Sequence, residues 1–300
     1  MKKDKVIFLL GATGCGKSDL AVMLAKDFNG EVISADSTQV FKGFNIGTAK
    51  ITPEEMQGIK HYGIDIKGPD ETFSAGEYVA YTHKCIEEIV SKGKLPIIAG
   101  GTGLYVKSLV NGYNFGGTER NEEFRKEIDA LIDSEGLEKA VERLKSINPK
   151  FLEGLDTKNR VRVVRALEIA TFGGERTQEE CRYDFKLLST TRPREEIYQR
   201  INQRLEKQVE NGLIEEVRSL YEKYGYCQNM CALGYKEVLP YLRGEITIEE
   251  MKETIKRNTR HYAKRQLTFL RGMEGVQEVD LTDKDYYSKL KEDITQWLKN

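Results

Sequence analysis

Eight residues near the start of the chain, Gly11-Ala12-Thr13-Gly14-Cys15-Gly16-Lys17-Ser18, follow the apolar run Val6-Ile7-Phe8-Leu9-Leu10. The pattern is G-x-x-x-x-G-K-S between a buried strand and a helix start, the setting a phosphate loop requires. Gly11, Gly14 and Gly16 permit backbone angles that a Cβ forbids, so the N–H groups of 11–18 can converge on phosphate oxygens. Lys17 adds a positive charge. The Ser18 hydroxyl is a candidate Mg²⁺ ligand, and the following helix points its positive end at the anion. The pattern leaves open whether the phosphate is transferred or departs.

The stretches that follow repeat the strand–loop–helix plan. Residues 17–28 read as a helix and 31–35 (EVISA) as a second buried strand, with Asp36 at its C-terminal end. Ligands of parallel α/β sheets bind at that edge. Residues 37–50 are glycine-rich and too long for a tight connection, so they are expected to line the site. Ser74-Ala75-Gly76-Glu77 is a capping box for a helix to Ser91, and 94–99 (KLPIIA) is a strand running into the turn Gly100-Gly101-Thr102-Gly103. Three such units predict an α/β fold: a P-loop core with a parallel sheet flanked by helices.

Beyond Asn111 the charge rises and the periodicity turns helical, as at Phe124, Ile128, Leu131 and Ile132. This predicts an all-helical insertion over 116–184, with the core formed by 1–115 and 185–300. Asp156-Thr157 is the expected cap of a helix bearing Arg160, Arg162 and Arg165 on one side and Val161, Val164 and Leu167 on the other. A strand returns near 185–188, and helices are expected at 194–209 and 211–224. Thr247-Ile248-Glu249-Glu250 opens a long helix to about Arg271. Between 252 and 271 it carries seven Lys and Arg against Glu253 alone, about +6, with Lys252, Lys256, Arg260 and Lys264 at four-residue spacing. Such an excess suits a polyanion better than a solvated face. Residues 276–281 and 286–298 are read as a last strand and helix.

The formal net charge of −1 gives no global pull toward nucleic acid, so any such contact must be local. The five cysteines are odd in number and scattered, which fits a reducing cytoplasm and free thiols. No stretch is long and apolar enough for a membrane span or a signal peptide. From the residues alone, the chemistry is that of a Mg²⁺-dependent P-loop transferase handling a polyanion. Asp36 is a candidate base or metal-binding acid, and Thr102 a candidate hydrogen-bonding partner of the reacting group or a helix N-cap.

Taken together, GATGCGKS, ISADSTQVFKGFNIGTAK, HYGIDI, FSAGEY, GGTGLY, RALEI, YQRINQRLEKQVENGLIEEV, ALGYKE and RHYAKRQLTF occur in the order found in the tRNA dimethylallyltransferases, also called tRNA isopentenyltransferases, and the chain resembles that family to about residue 271. The chain departs from residues common in the family at Ala12, Phe44-Asn45, Tyr62, 154–157 and Phe269. The resemblance implies transfer of a dimethylallyl group from dimethylallyl diphosphate to N6 of the adenosine just 3′ of the tRNA anticodon, in a cytoplasmic monomer. Residues 11–18 with Arg204 would then hold the diphosphate, and Mg²⁺ would sit near Ser18. Asp36 would accept the amine proton, with Thr102 orienting the amine and Lys17 stabilising the leaving group. Ser37, Thr38 and Gln39 match positions near a flipped-out base. The resemblance adds tRNA contacts from Arg125, Arg162 and Arg165 in the insertion, from Cys231, Gly234, Tyr235 and Lys236, and from Lys256, Arg260 and Lys264. Rival readings are an adenylate isopentenyltransferase, a P-loop small-molecule kinase and a nucleotide-switched RNA-binding protein.

Overall fold

The computed structural model describes residues 3–114, 121–173, 177–178 and 180–300. Among the described residues there are eight strands: β1 (Lys5–Gly11), β2 (Gly30–Ala35), β3 (His61–Tyr62), β4 (Leu95–Gly100), β5 (Tyr113–Asn114), β6 (Thr177–Gln178), β7 (Asp184–Thr191) and β8 (Gln277–Asp280). The helices are α1 (Lys17–Asp27), α2 (Pro53–Met56), α3 (Ala75–Ser91), α4 (Gly103–Val110), α5 (Glu122–Glu135), α6 (Leu137–Ile147), α7 (Arg160–Phe172), α8 (Arg194–Glu210), α9 (Leu213–Tyr224), α10 (Val238–Leu242), α11 (Ile248–Arg271) and α12 (Tyr286–Lys299).

Six strands form one sheet in the order β3-β2-β4-β1-β7-β8, and every pairing in it is parallel. Helices cover both faces of such a sheet, so its central strands read as unbroken apolar runs. Val6 to Leu10 are all buried, and Ile7 and Leu9 pack with Leu20, Leu24, Leu188 and Ile294. Each such side chain contributes about 1.5–3 kcal/mol on burial. The two capping boxes form as expected: Ser74 and Thr247 each accept from the backbone three residues on, and Glu77 and Glu250 reach back.

The chain divides into two compact units, Met1–Lys107 with Arg182–Asn300, and Ser108–Cys181. The junction expected at 115/116 lies outside the described residues. Among its described residues, the regular structure of the second unit is helical apart from β5 and β6, which pair antiparallel near its two ends. Its core gathers Phe124, Ile128, Ala140, Leu144, Val163 and Leu167. Two details differ from the sequence reading. Asn159, not Asp156-Thr157, caps α7, because its side chain accepts the Arg162 amide. Val161 is 72% exposed, since the buried arc of α7 is centred on Val163, Val164 and Leu167. Among the described residues, no helix is long and apolar enough to cross a membrane.

Candidate active site

The carboxyl ends of β1, β2 and β4 bring the phosphate loop, Asp36 and the second glycine turn to one edge of the sheet. Gly14 and Gly16 have φ of 84° and 95°, in the left-handed region that glycine enters without strain. Gly11 is glycine for another reason: a Cβ there would lie 2.2 Å from the Thr190 hydroxyl. Ala12 and Cys15 face inward, buried with Ile197, Ile201 and Ala263. Burial pushes the Cys15 thiol up, so Cys15 offers the site its backbone only. Ser18 is exposed at the start of α1.

Three arginines and a glutamine brace the loop. Arg204 Nη2 donates to Thr13 Oγ1 at 2.6 Å, Arg200 Nε to the Gly14 carbonyl at 2.8 Å and Arg192 Nε to the Cys15 carbonyl at 3.1 Å. From α11, Gln266 Oε1 accepts the Thr13 amide, and its Nε2 donates to the Gly101 carbonyl, both at 2.9 Å. The side chain therefore spans the two glycine turns. Lys17 Nζ folds back onto the Ala12 carbonyl at 3.0 Å. Burial lowers the pKa of both Lys17 and Arg204, and the negative charge of Asp36 pulls each back up. A second anion in the loop would be welcome to both cations.

Asp36 lies close enough to both cations for its charge to act on them. Its Oδ1 accepts from the Thr38 amide at 2.9 Å and the Thr38 hydroxyl at 2.6 Å, and more weakly from the Gln39 amide at 3.4 Å. Oδ2 takes no hydrogen bond among the described residues. Thr102 fixes both neighbours of Asp36: its amide donates to the Ala35 carbonyl, and its hydroxyl accepts the Ser37 amide, each at 3.0 Å. Thr102 also stands just ahead of α4, but its hydroxyl is committed to Ser37. Gln39 is turned away from Asp36, accepting from Ser34 and donating to the Thr48 and Ala49 carbonyls. It steadies the loop after Asp36.

The basic helix is less uniform than its sequence suggests. Four residues turn a helix by about 400°, so a four-residue repeat drifts about 40° per step. Lys252 and Lys256 consequently face α8 and pair with Glu206 at 2.7 and 2.9 Å, and Lys256 also meets Glu253 at 3.0 Å. Arg260 donates to Asn202 and lies over the Tyr198 ring. Beyond this point the charge meets no carboxylate among the described residues and forms a groove of about 610 Å³, lined by Arg194, Tyr198, Arg257, Arg260, His261, Lys264, Arg265 and Thr268. Arg257 and Arg265 belong to the groove and Lys256 does not.

Other expected RNA contacts are placed differently. Tyr235 is wholly buried, with its ring 4.7 Å from Phe44 and its hydroxyl donating to Glu216 at 2.6 Å. It is a core residue, and direct RNA contact by its side chain is ruled out in this conformation. Gly234 has a φ of 92°, and its amide is bound by Glu237. Cys231 and the Lys236 side chain are exposed beside them. In the insertion, Arg125 and Arg165 both pair with Glu168, which is completely buried. Burial would raise that carboxyl, but hydrogen bonds from Arg125, the Asn121 amide and Arg165 outweigh it and hold it down at about 2. Arg162 is exposed.

The sequence reading missed Arg192, Arg200 and Gln266, and it counted Arg257 and Arg265 in the charge of the basic helix without singling them out. Arg200 precedes Arg204 by one helical turn, a spacing that places both on one face of α8. Gln266 carries no such signal.

The family model described as IPP transferase matches residues 39–273. The tRNA dimethylallyltransferase of Halalkalibacterium halodurans is 42% identical over 97% of this chain and 95% of its own length. The chain belongs to the IPP transferase family. Its fold agrees with a solved tRNA isopentenylpyrophosphate transferase from Bacillus halodurans, with a TM-score of 0.75 at 41% identity over 99% of this chain and 97% of that one. A eukaryotic dimethylallyltransferase solved acting on tRNA gives a TM-score of 0.79 at 29% identity, covering 96% of this chain and 77% of that one. As an IPP transferase, the chain carries the loop and Asp36 ahead of the matched segment, while the full-length relatives align over nearly all of it.

Proposed function

We propose that the chain transfers a dimethylallyl group from dimethylallyl diphosphate to N6 of the adenosine immediately 3′ of the anticodon in tRNA, releasing diphosphate. The observation that carries this reading is the position of Asp36. A carboxylate with one oxygen tied to its own loop and the other untied lies within the field of both loop cations.

In the reaction the C1–O bond of the prenyl diphosphate breaks and a bond from C1 to the adenine nitrogen forms. Negative charge grows on the departing diphosphate. Loop amides, Lys17 and Arg204 are placed to stabilise it, the kind of preorganised electrostatics that dominates many rate enhancements. The attacking amine becomes acidic as its bond forms, and its proton passes to Asp36 Oδ2. Thr102 holds Asp36 in register through Ala35 and Ser37. The adenosine must leave its stack to reach this edge, as loop bases do in RNA readers, and Ser37 and Thr38 flank its path.

Mg²⁺ fits the loop. This ion keeps several waters and takes one or two protein oxygens plus substrate phosphates, and the exposed Ser18 hydroxyl at the helix start is such an oxygen. When bound it neutralises charge on the leaving group. The groove beside Arg257, Arg260, Lys264 and Arg265 suits the phosphates of an RNA stem, and exposed Arg162 offers the insertion a further contact. A monomer working in the cytoplasm completes the reading.

Diphosphate release tests it. The reading requires release that depends on both unmodified tRNA and dimethylallyl diphosphate and proceeds without ATP. Conversion of ATP to ADP with the phosphoryl group appearing on a small-molecule acceptor would instead assign the loop to a kinase.

A further inference from the structure

We propose that Gln266 is a positioning residue for the transfer step, setting the separation between the diphosphate loop and the turn that holds Asp36 by bonding to both sides at once; this rests on the prenyl-transfer reading above. Neither of its contacts involves a reacting atom. What the side chain controls is where the leaving-group half and the proton-accepting half of the site stand relative to each other.

The contact is specific in its chemistry. The Thr13 amide can only donate and the Gly101 carbonyl can only accept, so a residue meeting both must offer one acceptor and one donor side by side. A carboxamide does this without charge. Its partners fix its orientation, with Oε1 toward Thr13 and Nε2 toward Gly101, each at 2.9 Å. A carboxylate there would set an oxygen against the Gly101 carbonyl. The fit is also close, since Gln266 is only 8% exposed and a Cβ on Gly101 would lie 2.2 Å from Nε2. That same Cβ would come within 3.6 Å of the Gly11 carbonyl, so the two glycine turns lie against each other at this point.

Each end of Gln266 leads to the chemistry. At one end Thr13 is held twice, its amide by Gln266 and its hydroxyl by Arg204. At the other end Gly101 precedes Thr102, which binds the Ala35 carbonyl and the Ser37 amide on either side of Asp36. Tyr262 stands one turn earlier on α11, and burial first, then the charge of Asp36, push its hydroxyl up to about 12. The helix therefore reaches the base as well as the loop. It is a firm support, 24 residues long with Ile255, Thr259, Ala263 and Leu270 buried along the same side as Gln266. Groups carried on a packed helix hold position better than groups on loops, and a misplacement of about 1 Å can cost roughly 10²-fold in rate.

The test is a double-mutant cycle on the single-turnover rate of the full chain, with unmodified tRNA and dimethylallyl diphosphate both saturating. Gln266→Met keeps the length and loses both bonds, and it should slow transfer by about 10–100-fold. Filter binding of tRNA and calorimetric binding of inorganic diphosphate with Mg²⁺ should each stay within about threefold of the natural chain. In the Asp36→Asn background the same change should cost less than about threefold, because a misplaced turn matters little once it carries no base. Gln266→Glu keeps the Thr13 bond but opposes the Gly101 carbonyl, and it should be as slow as Gln266→Met. A thermal melt accompanies each variant, and Gln266→Asn, one carbon too short to reach both turns, replaces any that unfolds. Costs that add across the cycle overturn the proposal. So does a rate loss matched by an equal loss of diphosphate affinity, which would leave Gln266 a brace of the loop alone, and so does Gln266→Glu transferring as fast as the natural chain. A natural chain that transfers no prenyl group overturns instead the prenyl-transfer reading on which the proposal rests.

Discussion

Arg204 donates to the Thr13 hydroxyl at 2.6 Å across 191 residues of sequence, so the guanidinium of α8 is built into the phosphate loop before any substrate arrives. Its charge is available where the diphosphate would develop its own. Arg204→Ala should lower kcat/KM for the prenyl diphosphate by about 10²–10³, the usual cost of removing a preorganised donor. Lysine at this position should recover only part of the loss, because it lacks the planar fork. Steady-state kinetics with the donor varied checks both. Normal kinetics in Arg204→Ala would leave Arg204 as a brace for Thr13 and nothing more.

Asp36→Ala should reduce turnover by roughly 10²–10⁴ while tRNA binding survives. Asp36→Asn keeps the bonds from Thr38 but cannot take the proton, so it should be nearly as slow. Single-turnover rates beside a filter-binding measurement separate the two effects. Activity of Asp36→Asn close to that of the natural chain would remove Asp36 from the base role.

The basic helix offers a comparison within itself. Replacing Arg257, Lys264 and Arg265 by Ala should weaken tRNA binding and flatten its salt dependence. The log–log slope should fall by up to about three, one for each phosphate no longer neutralised. Replacing Lys252 and Lys256, which are committed to Glu206, should change the slope little. Equal effects from the two sets would contradict the groove.

Glu168 makes a prediction about pH. Its carboxyl is held at about 2, below the ordinary 4.5, so its stabilising contribution is present above pH 4.5 and fades as pH falls toward 2. The insertion of Glu168→Gln should lose stability at neutral pH by about 3 kcal/mol, because two partly buried arginines are left without their carboxylate. It should also show a shallower pH dependence between 4.5 and 2. Thermal melts of the two chains across that window provide the comparison.

Much of this fold was legible in the sequence because its signals are local. The apolar runs gave β1, β2, β4 and β7, and the capping boxes gave the starts of α3 and α11. Asp36 and Thr102 could be read as neighbours because both follow strands of one parallel sheet. What escaped depends on distance or on small angles. Arg192, Arg200 and Gln266 meet the loop from 177 to 253 residues away, and no periodicity reports such a contact. The stripe of Lys252, Lys256, Arg260 and Lys264 ignored the drift of a four-residue repeat, which turns its first half toward Glu206. Tyr235 was read as an RNA contact from a short motif whose role includes filling the core beside Phe44.

The most direct measurement is the mass of the nucleosides from unmodified tRNA after incubation with the protein, Mg²⁺ and dimethylallyl diphosphate. A single adenosine 3′ of the anticodon should gain one dimethylallyl group in place of a hydrogen, with one diphosphate released per group transferred. An unmodified adenosine alongside consumption of ATP would contradict the account.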